Sequence, residues 1–315
     1  MMTINRLAVA GFALVLLAGC GGGEQGGPQA AGKVRVTFWH AMGGPLGDAL
    51  KTMVEEFEAA NPDVDIDPVS MGGYPSLSQK LMGALQVDAP PNMAQMYESW
   101  TTQFHELGKL VPLDSFVRGD AGLSEAELAD FYPAFIEDNS WNGRIVTLPF
   151  NKSVPVYFYN IGMLEAAGYD RFPDTWDGFR QMAKKLTDRD KGIWGTAGGV
   201  NEWQFGCMLR QLGGDFLDET GAKAVFNSDA GVKAAEYQRA LMADDSSAMF
   251  AVGYDVQNDF LSGKIGCIWG TSVSWAYMQD KMTFPVGVAA IPTWDGNQDV
   301  LSFGTNIGVF RAGTP

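Results

Sequence analysis

Residues 34–66 read VRVTFWHAMGGPLGDALKTMVEEFEAANPDVDI. Val34, Val36 and Phe38 alternate with polar neighbours, the period of a half-buried strand. Leu46, Leu50, Met53, Val54 and Phe57 then recur at the spacing of one helix face. Asn61-Pro62 closes that helix, because a residue before proline avoids the helical region. Val64 and Ile66 alternate again as a second strand. A strand, a helix and a strand within about 35 residues form a βαβ unit, which demands a parallel sheet.

The pattern continues outward from this unit. Leu77, Leu81, Ala84 and Leu85 mark a further helix, and Met93 to Tyr97 is a short apolar run suited to a buried strand. Thr175 caps a helix with Trp176, Phe179, Met182, Ala183 and Leu186 on one face. Asp229 caps another that runs through Leu241. Val256 and Phe260 lie on a short helix stopped by Gly263, and Ile265 to Trp269 reads as a strand. The fold class is therefore α/β. Two apolar runs stand apart, Leu148–Asn160 and Val286–Pro292. Each is either core or a crossing between lobes, and two crossings would build two lobes from discontinuous sequence.

The chain has 315 residues, 46% of them apolar and 19% charged, enough for real cores in one large or two ordinary domains. Its 22 Lys and Arg against 37 Asp and Glu give a net charge of −15, which opposes non-specific nucleic-acid binding. Two histidines and three cysteines leave little material for a metal centre, and no cofactor is expected. At the N-terminus, Arg6 precedes an apolar run from Leu7 to Leu17 that ends in Leu17-Ala18-Gly19-Cys20. The run is about half the roughly 20 residues that span a bilayer, so it reads as a secretory leader over residues 1–19. The ending resembles a bacterial lipobox, which makes Cys20 the expected lipidation site. Residues 20–32 are Gly/Ala-rich and read as a flexible tether. Cys207 and Cys267 either pair or stay as two buried thiols.

The sequence lacks His-Glu-x-x-His, Gly-x-Ser-x-Gly and Walker A motifs. Its binding inventory is richer. Nine tryptophans include Trp39, Trp100, Trp203 and Trp275 in polar contexts, where aromatic faces can stack on polyols or quaternary ammonium groups. Trp176 and Trp269 lie on apolar stripes and read as core. Tyr74 follows Gly72-Gly73, a loop able to bring a phenol to a cleft. Glu98 follows the run 93–97 and falls at a strand's carboxyl end, where parallel sheets present ligands. His40, beside Trp39, is at a comparable strand end and is either a ligand or a satisfied structural residue. Thr271, Ser272 and Ser274 offer hydroxyls after the strand 265–269.

These motifs together resemble the family 1 extracellular solute-binding proteins of ABC importers, in particular their glycerol-3-phosphate-binding branch. The likeness is carried by Phe38-Trp39-His40 with Gly43-Gly44-Pro45-Leu46-Gly47, Pro68-Val69 with Gly73-Tyr74, and Gln95-Met96-Tyr97-Glu98. It continues in Pro149-Phe150-Asn151-Lys152-Ser153-Val154-Pro155-Val156 with Tyr159-Asn160, then Thr175-Trp176, Gly270-Thr271-Ser272 and Gly304. It covers most of residues 33–311. The resemblance implies a periplasmic-binding-protein-like fold of type II, two α/β lobes with a ligand cleft between them. Lobe 1 would take residues 33–150, lobe 2 residues 151–286, and 287–315 would return to lobe 1. The crossings would be Val154–Tyr159 and the segment near Val286–Pro292. The family continues for roughly another hundred residues, so the second lobe is expected to be incomplete at the C-terminus and the family's C-terminal Tyr and Arg ligands absent. By resemblance, Tyr74, Glu98, Ser153, Trp203, Ser272 and Gly304 would bind the ligand, with Trp39 and His40 as further candidates. Lys152 departs from the family's small polar residue. It would either supply charge near an anion or point to solvent. The implied function is a lipid-anchored, extracytoplasmic carrier, not an enzyme. It would deliver glycerol-3-phosphate or a glycerophosphodiester to ABC permease transmembrane subunits. A neutral di- or oligosaccharide is the alternative ligand. A secreted glycan hydrolase is the alternative of another class, and it would need a second carboxylate beside Glu98.

Overall fold

The structure is a computed structural model that describes residues 32–120, 122–198, 201–250 and 255–311. The expected leader, the lipidation site Cys20 and nearly all of the tether lie outside the described residues. Along the chain the strands are β1 (Val34–His40), β2 (Val64–Ser70), β3 (Met93–Met96), the small hairpin β4 (Ser140–Trp141) and β5 (Arg144–Ile145), and β6 (Leu148–Ser153). They continue with β7 (Pro155–Asn160), β8 (Trp194–Gly198), β9 (Ala248–Phe250), β10 (Ile265–Thr271), β11 (Val286–Ala290) and β12 (Phe303–Val309). Two five-stranded sheets result, ordered β2-β1-β3-β12-β6 and β11-β7-β10-β8-β9. In the first, β2, β1 and β3 run parallel and β12 is antiparallel to both β3 and β6. In the second, β10, β8 and β9 run parallel and β7 is antiparallel to β10 and β11. The fold is that of the solute-binding proteins the resemblance implied.

The opening βαβ unit is present, with its helix at Pro45–Ala60. The buried stripe of that helix is narrower than the spacing suggests. Leu50 is buried and Leu46 and Val54 pack with it, whereas Met53 is 58% and Phe57 46% exposed. The helix covers the β1–β2 margin of the sheet and touches it along every fourth residue. Glu58 continues the line, its carboxylate accepting the Ile66 N–H at 2.6 Å. In the helix Tyr74–Gln86, Leu77, Leu81 and Leu85 are buried as the period requires.

The second core is built around the helix Trp176–Leu186. Thr175 Oγ1 accepts the Gly178 N–H, and all five stripe residues are buried. Trp176 Nε1 donates to Gln211 Oε1 at 2.7 Å, and Gln211 Nε2 donates to the Pro292 carbonyl at 3.1 Å. Gly195 lets this helix lie against β8, since a Cβ there would meet the Ala183 carbonyl oxygen at 1.9 Å. The helix Asp229–Arg239 is capped by Ser228, not by Asp229. The Ser228 hydroxyl accepts the Gly231 N–H, while Asp229 sits in the first turn. A π-helical turn, Ala240–Asp244, follows.

The two crossings differ from the expected ones. The 148–160 run is not one strand but two, in different sheets, separated at Val154. Pro155 has no N–H to donate, so pairing with β12 stops there and a new sheet begins. Asn151, Lys152 and Ser153 therefore belong to the first sheet, and the 150/151 boundary moves to Val154. Likewise 286–290 is an edge strand of the second sheet, so the chain returns through 291–302. That stretch carries the true turn signals, with Pro292 followed by Asp295 and Gly296 at φ 51° and 76°.

Cys207 and Cys267 are separate, buried thiols. The Leu301 N–H donates to Cys207 Sγ at 3.3 Å, and Cys267 Sγ donates to the Gly195 carbonyl at 3.3 Å. Burial pushes them up to about 11 and about 12 respectively. Among the described residues no helix is long and apolar enough to cross a membrane, and no acidic, His or Cys cluster could hold a metal ion.

Candidate functional site

The carboxyl-terminal ends of β1, β2 and β3 share one edge of the first sheet with the end of β6 and the start of β12. The residue after β10 and two helices of the second layer, Glu202–Gln211 and Ser274–Met278, reach toward this edge. The Ser272 N–H, just after β10, donates to the Val154 carbonyl at 2.9 Å, and the Val154 N–H reaches Ser272 Oγ at 3.4 Å. The rings of Trp203 and Phe303 approach to 4.8 Å. Tyr277 Oη donates to the Gly43 carbonyl at 3.2 Å. The space between these contacts is the candidate ligand cleft.

Its floor on the first sheet is a polar network centred on Gln95, which is fully buried on β3. Gln95 Oε1 accepts the Ala41 N–H at 2.8 Å. Its Nε2 lies 2.8 Å from Thr305 Oγ1, 3.1 Å from Asn151 Oδ1 and 3.3 Å from Tyr74 Oη. Asn151 Nδ2 also donates to Tyr74 Oη at 3.3 Å, and Thr305 Oγ1 donates to Asn151 Oδ1. Tyr74 Oη thus accepts from the Asn151 amide, which leaves its own O–H able to donate. The Tyr74 ring packs on Tyr97 at 4.9 Å, and Tyr97 meets Trp100 edge-on at 5.2 Å. Burial, then the neighbouring Tyr74 and Glu98, hold the Tyr97 phenol above its ordinary range, so it stays neutral.

Glu98 is the first residue of the helix Glu98–Glu106, directly after β3 and Tyr97. It does not stand alone. Lys152 Nζ donates to Glu98 Oε1 at 2.5 Å, and Asn306 Nδ2 lies 3.4 Å from the same oxygen. Asn306 is in turn fixed by Asn139 Nδ2 at 3.1 Å, whose own amide oxygen accepts from Thr147 at 2.6 Å. Lys152 therefore neither points to solvent nor lies free for an anion. Asp138 completes this group. Its carboxyl is raised by desolvation, against the pull of Lys152 and with the push of Glu98.

Ser153 pairs with Phe303, and Gly304 with Lys152, at the cleft end of β6 and β12. Gly304 has φ 114° beside a β-bulge, and a Cβ there would fall 1.9 Å from the Asn151 carbonyl oxygen. Only glycine lets the two backbones meet so closely. The structure thus brings Tyr74, Glu98, Ser153, Gly304, Ser272 and Trp203 to one region. Trp39 and His40, the last residues of β1, are held mainly by packing. Trp39 packs on the helical face of the first sheet, with Val69 and Trp100 against Leu77 and Leu81. His40 is 6% exposed, and its Nδ1 accepts the Met42 N–H at 3.1 Å. Burial lowers its pKa, so it is a neutral structural imidazole. Alternation along β1 puts the two side chains on opposite faces of the sheet. Gln95 and Asn151, present in the motifs without a role of their own, and Thr305 and Asn306, outside them, are the polar residues of this edge that sequence reading did not single out. A signal was present, since each is an amide or hydroxyl inside an otherwise apolar strand run.

The sequence profile of the family described as bacterial extracellular solute-binding protein matches residues 43–315. Among curated proteins, the sn-glycerol-3-phosphate-binding periplasmic protein UgpB of Escherichia coli (strain K12) is 24% identical over 298 residues. That match covers 88% of this chain and 66% of the relative, so the chain spans just under two thirds of the curated proteins it matches. Among solved structures, UgpB from Mycobacterium tuberculosis in complex with glycerophosphocholine superposes with a TM-score of 0.78 at 22% identity, covering 89% of this chain and 73% of that one. The GacH receptor of Streptomyces glaucescens, solved unliganded and with acarbose, gives 0.74 at 24% identity, with 89% and 72% covered.

Proposed function

The chain belongs to the bacterial extracellular solute-binding protein family, and from that premise we propose that it is the ligand-capturing subunit of an ABC importer. The lobes close on one hydroxyl-rich small molecule, and the closed form docks on a membrane permease. One observation carries this reading: hydroxyl, amide and carboxylate groups of the first sheet's cleft edge lie opposite Ser272 and Trp203 of the second. Closure would exclude water from these groups and strengthen each hydrogen bond to a ligand.

The proposed ligand is a glycerophosphodiester such as glycerophosphocholine. Glu98 accepts bonds from the glycerol hydroxyls. The Tyr74, Ser153 and Ser272 hydroxyls and the Gly304 N–H donate to phosphate oxygens, and Trp203 packs on the carbon face. A neutral saccharide is the second reading. It is favoured by the Trp203–Phe303 contact, which sets an aromatic face across the cleft from the other lobe. Attachment to the outer face of a membrane through acylated Cys20 is part of the proposal, supported by the Leu17-Ala18-Gly19-Cys20 sequence. So is the absence of turnover. The family to which the chain belongs is described by solute binding, not by turnover.

Ligand-induced thermal stabilisation tests this. The panel is glycerol-3-phosphate, glycerophosphocholine, maltose and trehalose. A ligand at a hundredfold over its Kd adds about 2.7 kcal/mol. Stabilisation by glycerophosphocholine, lost in Tyr74→Ala, supports the proposal. Stabilisation only by sugars moves the ligand to the second reading. Consumption of a glycan with no stabilisation overturns the carrier.

A further inference from the structure

Lys152 is the only charged residue of β6 and lies three residues before Pro155, where the second sheet begins. A lysine at a sheet edge ordinarily extends its ammonium to water. Here the side chain is 6% exposed, whereas that of its partner Glu98 is 37% exposed. The ammonium sits 2.5 Å from Glu98 Oε1 and 5.8 Å over the Phe135 ring, with Asp138 near enough to feel its charge. The layering is therefore fixed: the carboxylate is the more open group, and the ammonium lies behind it. Glu98 Oε1 is occupied by Lys152 and Asn306, while among the described residues Oε2 takes no hydrogen bond.

Glu98 and Lys152 form one close ion pair, and the ammonium is the more buried of the two groups. A ligand resting against Glu98 is closer to negative oxygen than to positive nitrogen. Coulomb energy falls with distance, so that ligand meets a slightly negative surface. A hydroxyl finds an acceptor there. A phosphate monoester, which carries close to two negative charges at neutral pH, finds repulsion.

We infer that Lys152 is a specificity-determining residue that fixes the charge class of the ligand: by pinning Glu98 Oε1 from behind it leaves Oε2 as an acceptor and selects hydroxyl-rich ligands of zero net charge over dianions. Zwitterionic glycerophosphocholine and neutral saccharides belong to the selected class, and glycerol-3-phosphate does not. The inference rests on the reading that the ligand lies against Glu98.

The test compares the wild type, Glu98→Ala, Lys152→Met and the double variant. Inorganic phosphate is the first probe and thermal stabilisation the readout. The wild type should show no saturable response. Glu98→Ala opens the ammonium to the cleft and should gain a saturable phosphate response, which the double variant loses. Glu98→Gln, which keeps the side-chain volume, serves in place of an alanine variant that does not fold. With the organic panel, Lys152→Met should weaken whichever neutral or zwitterionic ligand binds by about tenfold or more, the loss of one charge-assisted constraint. An equal phosphate response in the wild type and Glu98→Ala, or one retained in the double variant, overturns the role of Lys152. Tighter wild-type binding of glycerol-3-phosphate than of glycerophosphocholine overturns it as well. If the wild type binds nothing in the organic panel, the functional reading fails, while the phosphate comparison still decides what Lys152 does.

Discussion

Replacing Gln95 by Leu removes the centre of the polar floor with little change in volume. The Ala41 N–H loses its acceptor, at 2.8 Å, and Thr305 and Asn151 each lose one donor. Asn151 Oδ1 keeps Thr305 Oγ1, and Tyr74 Oη keeps Asn151 Nδ2, so one N–H is orphaned outright. An orphaned buried donor costs about 1–3 kcal/mol, and each lost bond adds about 1 kcal/mol. The expected destabilisation is therefore about 3–5 kcal/mol, or a fall in Tm of about 4–8 °C for a fold of this size. Thermal and urea unfolding of the purified variant measure it. Because Asn151→Ala breaks the same network, the two substitutions together should cost less than their sum, by about 0.5–3 kcal/mol. A Tm within about 2 °C of the wild type, or strict additivity with Asn151→Ala, would refute the assignment of Gln95 as the organising residue.

Three further outcomes follow from the geometry. Burial holds the His40 imidazole below its ordinary value of 6.5, so as pH falls through that value the unfolded chain takes up the proton more readily than the folded one. Stability should then drop by at most about 1.4 kcal/mol per pH unit, and His40→Gln, in pH-dependent melting between pH 7 and 5, should flatten that slope relative to the wild type. Gly304→Ala forces a Cβ into the Asn151 carbonyl and strains a positive φ, so it should cost about 1–3 kcal/mol or more and weaken ligand binding. Unfolding curves and a titration together check it, and unchanged affinity would remove the Gly304 N–H from the site. Cys207 and Cys267 should both resist a thiol reagent in the native protein at pH 8 and react once it is unfolded in guanidinium. Rapid native labelling of either would contradict its burial.

What the sequence reveals depends on how local the cause is. The Trp176–Leu186 helix is fully legible because its cap and all five core residues lie within twelve consecutive positions. The opening βαβ unit is legible in type, yet its helix buries fewer residues than its apolar spacing implies, because burial depends on where the helix rests on the sheet. The crossings are misread for a related reason. A long apolar run reports burial, not which sheet supplies it, and Pro155 decides that β6 and β7 belong to different sheets. Glu98, directly after β3, and Tyr74, in the turn after β2, fall on the elements where the local pattern puts them. The Lys152–Glu98 pair cannot be read that way, since its partners are 54 positions apart and meet only through the order β3-β12-β6. Trp39 and His40 show the converse, motif residues held mainly by packing.

The central claim is that one ligand is held by groups from both sheets. Isothermal titration of glycerophosphocholine into the wild type, Glu98→Ala and Ser272→Ala tests it most directly, because the two side chains come from opposite lobes. The account predicts one-site binding to the wild type and a loss of about tenfold or more in each variant, roughly 1.4 kcal/mol apiece, with folded melting transitions retained. Binding that survives both substitutions undiminished, or that depends on only one lobe, would contradict it.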